Sequence, residues 1–272
     1  MNPDAKPYIE QGGYRTWFYF CVAGVVPGET LSITMRGMNN QMKLYTSGLK
    51  PCYRVLPSQR QWRRIPGKVI PLCNDGPFQI TFFHTFNCAK SDATFFAFSY
   101  PLSYSETIRK AEVYETKYAS HPKIYFHRET LAHSIEKRNM ELWTISSHYL
   151  KTDEHDDLIP GLFPDHEGDV TRRPKKFKKP TVFLTSRVHP GETPGSYVLN
   201  GILDFLLNEK EEQARILRKR FVFKVIPILN VDGVARGYYR LDTRLVNLNR
   251  MYIDPTQAEQ PTIYAAKAAI LQ

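Results

Sequence analysis

The chain has 272 residues, 42% of them hydrophobic and 13% aromatic. That is enough to bury a core in one large domain or two small ones, and it excludes fibrous and wholly disordered classes. Lys and Arg number 37 against 27 Asp and Glu, a net charge of +10, which favours polyanionic partners: nucleic acid, acidic membranes or acidic polypeptides.

No stretch reaches the roughly 18 to 20 apolar residues of a membrane span, and residues 1–15 hold no apolar signal core. Cysteines at 21, 52, 73 and 88 show no CxxC pairing, so reduced thiols are expected, with neither a disulfide framework nor a cysteine zinc site. A soluble intracellular protein without a membrane partner is the expectation.

From Tyr14 to about Tyr104 the sequence reads as short β-rich runs between turn residues: RTWFYFCV, TLSITMRG, MKLYTSG, CYRVL, FQITFFHTF and ATFFAFSY. The spacing predicts a small antiparallel β-sandwich over 1–103, starting so abruptly that an upstream edge strand is expected to be missing. At Ser105 the texture changes: Ser105, Glu106 and TIRKAEVYETKYA predict an N-capped helix ending before His121-Pro122. RETLAHSI and MELWTISSHY around EKRN predict a hairpin.

Residues 151–180 hold an acidic block with seven carboxylates followed by RRPKKFKKP with six basic groups. They read as an unstructured, solvated connector, with a nuclear-import or polyanion-binding patch as the alternative. After it TVFLTSRV and FVFKVIPILN predict strands joined by the helix PGSYVLNGILDFLLN, with EEQARILRKR as its polar continuation; PTIYAAKAAILQ begins a further helix. Such a βαβ layer places chemistry at the strand C-terminal ends. The second domain is predicted over 104–272.

The chemistry concentrates in RVHPGETPGS, which puts His189 and Glu192 in a Pro/Gly-rigid turn between strand and helix. An imidazole nitrogen and a carboxylate oxygen there can both reach one Zn²⁺, and catalytic zinc sites commonly use two His and one Glu. By itself His-x-x-Glu is equally the pattern of a satisfied loop histidine. NVDGVARGYYRLDTRLVNLNR adds Arg236, Arg240, Arg244, Asn249 and Arg250 on a glycine-punctuated loop. Guanidinium forks suit a peptide carboxylate or a developing oxyanion, although exposed loop arginines have the same signature.

HPGET at 189–193, NVDG at 230–233, GYYR at 237–240 and NLNR at 247–250 resemble the zinc metallocarboxypeptidases. The resemblance is to their cytosolic carboxypeptidase branch, which shortens polyglutamate chains and acidic tails of tubulin, and within it to the members that remove branch-point glutamates. RTWFYF at 15–20 and TFFAFSYPLSYS at 94–105 resemble that branch's β-domain and its junction with the catalytic domain.

The resemblance implies a carboxypeptidase-type α/β domain with a mixed sheet, a Zn²⁺ cofactor, and a cytosolic, microtubule-associated location, with the nucleus as the alternative. It implies His189 and Glu192 as zinc ligands and Arg240 as the arginine that polarises the scissile carbonyl. It implies Asn249 and Arg250 as the clamp on the substrate's terminal carboxylate, with Arg244 against an acidic substrate side chain or solvent. Asn230 falls in a family Asn-Pro-Asp-Gly turn that here reads Asn-Val-Asp-Gly, a change expected to alter loop rigidity.

The resemblance also implies a third, downstream histidine ligand and a later glutamate base. No histidine follows His189 in the sequence, and His148, His155 and His166 are expected in packing or solvated-loop roles. The 272 residues are therefore expected to be an incomplete, inactive portion of such an enzyme. Residues 215–250 hold nine Lys/Arg and two Asp, and residues 50–68 hold six basic groups and no acidic one. Both stretches suit polyglutamylated tubulin or another acidic tail. The alternative is a non-catalytic binding module for acidic tails or nucleic acid, its zinc motif vestigial.

Overall fold

The computed structural model describes residues 14–73, 76–87, 89–166 and 168–272. Most of the amino-terminal stretch read for a signal core, together with Cys88 and Glu167, lies outside them. The described chain divides into two compact units. One runs to Pro101 and includes Gly237–Arg240; the other is Leu102–Arg236 with Leu241–Gln272. Within the first unit the ring of Tyr239 packs edge-on against Phe98 at 5.9 Å.

The first unit contains β1 (Tyr19–Ala23), β2 (Thr30–Arg36), α1 (Met42–Thr46), β3 (Cys52–Leu56), β4 (Gln59–Arg64), β5 (Val69–Leu72), β6 (Gln79–Thr85) and β7 (Ala93–Ala97). They form two antiparallel sheets in the orders β1-β7-β3-β4 and β2-β6-β5. Alternate residues of both sheets fill one core of Phe18, Met35, Ile65, Phe78, Ile80, Phe82, Phe86 and Phe96. Each such side chain contributes roughly 1.5–3 kcal/mol by leaving water.

One expectation fails here, and β4 lies outside the runs read from the sequence. MKLYTSG forms the short helix α1 rather than a strand, because Asn40 Oδ1 accepts from the Met42 N–H at its start and Thr46 Oγ1 donates back to the Met42 carbonyl. QRQWRR, too polar to read as a strand, becomes β4 by pairing with β3 through Val55↔Gln59 and Cys52↔Arg64.

The second unit adds α2 (Tyr104–Tyr118), β8 (Tyr125–His133), β9 (Asn139–Ser146), β10 (Lys151–His155), β11 (Lys175–Phe177), β12 (Thr181–Thr185), α3 (Thr193–Leu206), α4 (Glu212–Arg220), β13 (Val222–Ile226), α5 (Val231–Arg236) and α6 (Pro261–Leu271). Its mixed sheet runs β12-β13-β9-β8, with β12 and β13 parallel and the other pairs antiparallel. The inner strand β13 carries apolar residues on both faces, interrupted by Lys224. Phe223 and Val225 pack with α2 and α3 through Ala111, Tyr114, Leu199 and Leu203. Ile226 and the following Ile228 and Leu229 pack with Ile263, Ala265 and Ala266 of α6. Among the described residues no helix is long and apolar enough to cross a membrane.

The helix expected from Ser105 is capped by Ser103 instead. Its hydroxyl accepts from the Glu106 N–H at 3.2 Å, and the Glu106 carboxylate accepts from the Ser103 N–H at 2.8 Å. This capping box stabilises the start by about 1 kcal/mol. EEQARILRKR is a separate helix, α4, not a continuation of α3; Asn208 Oδ1 accepts from the Lys210 N–H in the break between them. NVDGVARG, read as loop, opens with the helical turn α5.

The largest correction concerns 151–180, which is ordered by strand pairing and a few specific polar contacts. β10 pairs antiparallel with β11. The Lys176 ammonium lies 3.0 Å from Asp157 Oδ2, and Lys175 donates to the Asp153 carbonyl at 2.6 Å. Arg173 leaves the basic run altogether: it is 3% exposed, with Nε 2.8 Å from Glu129 Oε2 on β8 and its guanidinium 3.4 Å over the Phe163 ring. Burial pushes the Glu129 carboxyl upward and Arg173 downward, so the pair holds its charges only by mutual contact.

Removing one partner leaves a buried charge uncompensated. Arg173→Met is expected to cost about 3–5 kcal/mol, read as a lowered midpoint in denaturant unfolding. A midpoint equal to wild type would show that the segment is not held by this pair.

Candidate active site

Parallel pairing of β12 with β13, from Thr181↔Val222 to Thr185↔Ile226, brings two chain crossings to the same end of the sheet. The chain leaving β12 carries Arg187, His189 and Glu192; the chain leaving β13 carries Asn230 and α5. They are stitched together by backbone bonds, Leu229 N–H to the Ser186 carbonyl at 2.9 Å and Asn230 N–H to the Arg187 carbonyl at 3.1 Å.

The HPGE turn is held from below. Arg187 has φ of +57°, a left-handed conformation that costs a non-glycine residue of order 1 kcal/mol or more. Three bonds offset it: Nε donates to the Pro190 carbonyl at 2.8 Å, and Nη1 to the Leu102 carbonyl at 3.0 Å and Ser196 Oγ at 3.2 Å. The side chain is 7% exposed, and burial pushes its pKa down to about 10. Gly233 closes the arrangement from the β13 side. A Cβ there would stand 2.4 Å from Pro190 Cγ and 2.7 Å from Asn230 Oδ1, so only glycine lets α5 approach the turn.

His189 is 7% exposed and Glu192, at the N-cap of α3, is about half exposed. Their Nδ1 and Oε1 atoms stand 3.0 Å apart. Asn247 decides what lies between them. Its Oδ1 accepts from the Asn249 N–H at 3.1 Å and stands 3.2 Å from His189 Nε2. An amide oxygen carries no hydrogen and can only accept, so Nε2 carries the proton, and in the neutral ring Nδ1 presents its lone pair to the carboxylate.

Two lone pairs at that distance repel unless a cation or a proton sits between them. Donors each about 2.1 Å from one Zn²⁺ lie roughly 3.0–3.4 Å apart for ordinary ligand angles. The residues therefore fit a zinc ion, with Asn247 orienting the ligand ring in the way such outer partners do.

Beside this pair opens a cleft of about 440 Å³ lined by Thr185, Ser186, Arg187, Val188, His189, Glu192, Gly195, Val198, Leu229, Asn249 and Tyr252, the size of a small-ligand pocket. Of the residues singled out by sequence, the structure brings together His189, Glu192 and Asn249. Arg250 is exposed, its Nη1 donating to the Asn249 carbonyl at 3.1 Å, and Arg244 is exposed with Nη1 3.3 Å from the Ala258 carbonyl. Arg240 belongs to the first unit, its guanidinium 5.6 Å from the Tyr14 ring centroid.

Asn230 is buried, accepting from the Gly233 N–H at 2.9 Å and donating to the Leu241 carbonyl at 3.2 Å. The other histidines are engaged elsewhere: His148 Nε2 at the His121 carbonyl, His155 Nδ1 at the Arg173 carbonyl, and His166 buried 3.6 Å from Glu129. Among the described residues no group of three or more His, Cys, Asp or Glu could hold a metal; at this turn they offer two ligands, His189 and Glu192.

The zinc carboxypeptidase family model matches residues 112–257, more than half of the sequence and the whole of this site. The chain belongs to the zinc carboxypeptidase family. Over 99% of its length it is 43% identical to cytosolic carboxypeptidase-like protein 5 of Mus musculus and 42% identical to that of Homo sapiens. It is 31% identical over 95% of its length to cytosolic carboxypeptidase 6 of Mus musculus. The chain spans 31% of the first two relatives and 43% of the third.

Two solved metallo-carboxypeptidases share the fold of this zinc carboxypeptidase chain. That of Burkholderia cenocepacia has a TM-score of 0.67 at 22% identity, covering 95% of this chain and 58% of that one. That of Pseudomonas aeruginosa has a TM-score of 0.68 at 18% identity, covering 99% and 59%.

Sequence reasoning missed Arg187 and Asn247. Asn247 lay inside the quoted NLNR motif, but nothing in one sequence marks which of its two asparagines turns toward the histidine. Asn247→Ala is expected to weaken zinc binding roughly 10- to 100-fold without moving the unfolding midpoint by more than the loss of its two part-buried hydrogen bonds. Zinc titration by calorimetry checks this, and unchanged affinity would remove Asn247 from the site.

Proposed function

We propose that this chain forms the metal-gripping part of a zinc-dependent carboxypeptidase that removes glutamates from acidic or polyglutamylated protein tails, tubulin's in particular, in the cytosol. The observation that carries the reading is the opposition of His189 Nδ1 and Glu192 Oε1 at 3.0 Å in a cleft shared with Asn249. The family supports metallopeptidase chemistry, and the names of the relatives support a cytosolic setting. Net charge of +10 supports an acidic substrate.

In this reading His189 and Glu192 hold Zn²⁺, which supplies Lewis acidity and a water of lowered pKa. A further histidine and a glutamate base would come from elsewhere in the protein. Asn247 keeps the proton on Nε2, so the histidine meets the ion through Nδ1. Asn249 and Arg250 present an amide and a guanidinium to the terminal carboxylate. A planar guanidinium can accept that carboxylate bidentately, which places the last residue of the tail and excludes peptides lacking a free end. Arg240 is proposed as the group that steadies the developing oxyanion, and Arg244 as a contact for an acidic side chain.

The test is glutamate release from polyglutamylated tubulin by the full-length protein, followed by mass spectrometry with and without a zinc chelator. Release is expected to stop on chelation and in Glu192→Ala, which also loses zinc. Arg250→Ala is expected to raise KM more than it lowers kcat. Release that survives chelation, or wild-type zinc content in Glu192→Ala, would overturn the assignment.

A further inference from the structure

The first unit carries a second concentration of positive charge, built differently from the pairs of the second unit. On the β1-β7-β3-β4 sheet the Arg54 guanidinium lies 4.7 Å from the Trp62 ring centroid and 5.5 Å from that of Phe95, and its Nη2 donates to the Tyr19 hydroxyl at 3.2 Å. Arg60 and Arg63 on β4 are exposed. Among the described residues no carboxylate lies within ion-pair distance of Arg54, Arg60 or Arg63, and residues 50–68 contain six basic groups and no acidic one. β4 is also the last strand of its sheet, so one row of its backbone groups has no partner strand within the sheet.

Two classes of polyanion compete for such a face. A nucleic acid would stack its bases on free ring faces. Here the rings are already engaged: Arg54 covers Trp62 and Phe95, and Tyr19 stacks on Phe95 at 6.0 Å with 29° between planes. The aromatic residues thus fix the plane of a guanidinium, which lowers the entropy lost when it grips a carboxylate. An unpaired strand edge adds main-chain donors and acceptors that an extended polypeptide can use and a sugar-phosphate chain cannot.

We propose that the Arg54 shelf and the β4 edge form a docking surface for an extended, glutamate-rich polypeptide segment. The proposal deepens the acidic-tail reading and rests on it for the chemistry of the partner. It assigns the tail a second point of attachment besides its terminal carboxylate, so that bivalent capture raises the residence of long tails over short ones.

Fluorescence polarisation of a labelled oligoglutamate peptide with an amidated C-terminus, which offers no terminal carboxylate to the cleft, reads this surface directly. The 272-residue chain is expected to bind it in a salt-sensitive manner. The exposed pair Arg60→Glu/Arg63→Glu is expected to weaken binding on the order of tenfold or more, with circular dichroism and zinc affinity unchanged. Arg54→Lys, which keeps the charge and loses the stacked fork, is expected to weaken it by a smaller factor. His189→Ala should leave peptide binding intact while abolishing zinc binding, which separates this surface from the catalytic reading. Wild-type affinity in the Arg60/Arg63 variant overturns the proposal, as does tighter binding of an oligothymidylate that the same substitutions weaken.

Discussion

On the HPGE turn His189 Nδ1 faces the Glu192 carboxylate at 3.0 Å, and that placement organises the site. It persists because every neighbouring group has its own fixed bond. Asn247 Oδ1 is committed to the Asn249 N–H and to Nε2, Pro190's carbonyl to Arg187, and Gly233 leaves room for the turn and nothing more. Parallel register of β12 and β13 is the prerequisite, since a slip of one residue would reverse which side chains leave the strand ends toward the cleft.

Charge in this molecule follows two regimes. In 151–180 opposite charges meet beside the β10–β11 pairing: Arg173 enters the core against Glu129, and Lys224 reaches Asp156. Other cations, one of them in the same segment, are stabilised without carboxylates. Lys179 is held by Ser146 Oγ and by the carbonyls of Ser147 and Arg218, and burial pushes its pKa down to about 8. Arg54 is held by rings and a phenol. Within the basic block read as a nuclear-import patch, Lys176 pairs with Glu154 and Asp157 and Arg173 with Glu129, whereas Lys175 and Lys179 are held by carbonyls and hydroxyls.

Periodicity made the apolar strands and amphipathic helices legible: β2, β3, β6, β7, β8, β9, β12, β13, α2, α3 and α6 all fall on runs the sequence marks. What it did not mark depends on partners remote in sequence. β4 is polar and exists through its pairing with β3; β10 and β11 likewise exist through pairing with each other across some twenty residues. The helix start at Ser103 required a hydroxyl and Glu106 at capping spacing, a pattern present but displaced from Ser105 by two residues. In the site, the HPGE and NLNR motifs were legible as motifs. The roles of Arg187 and Asn247 were not, because a positive φ and a tautomer-setting hydrogen bond are three-dimensional facts.

Arg187 shows why the distinction between paired and unpaired cations bears on function. A buried arginine facing a carboxylate, as Arg173 does, has its field cancelled within a few ångströms. Among the described residues Arg187 donates to two carbonyls and a hydroxyl, dipoles that lower its self-energy without removing its net charge. It lines the same cleft as Glu192, so one wall of the cleft holds a buried cation whose charge the adjoining dipoles do not remove. A carboxylate partner for Arg187 would have fixed the turn equally well and cancelled that charge; holding the turn with neutral acceptors does both tasks at once.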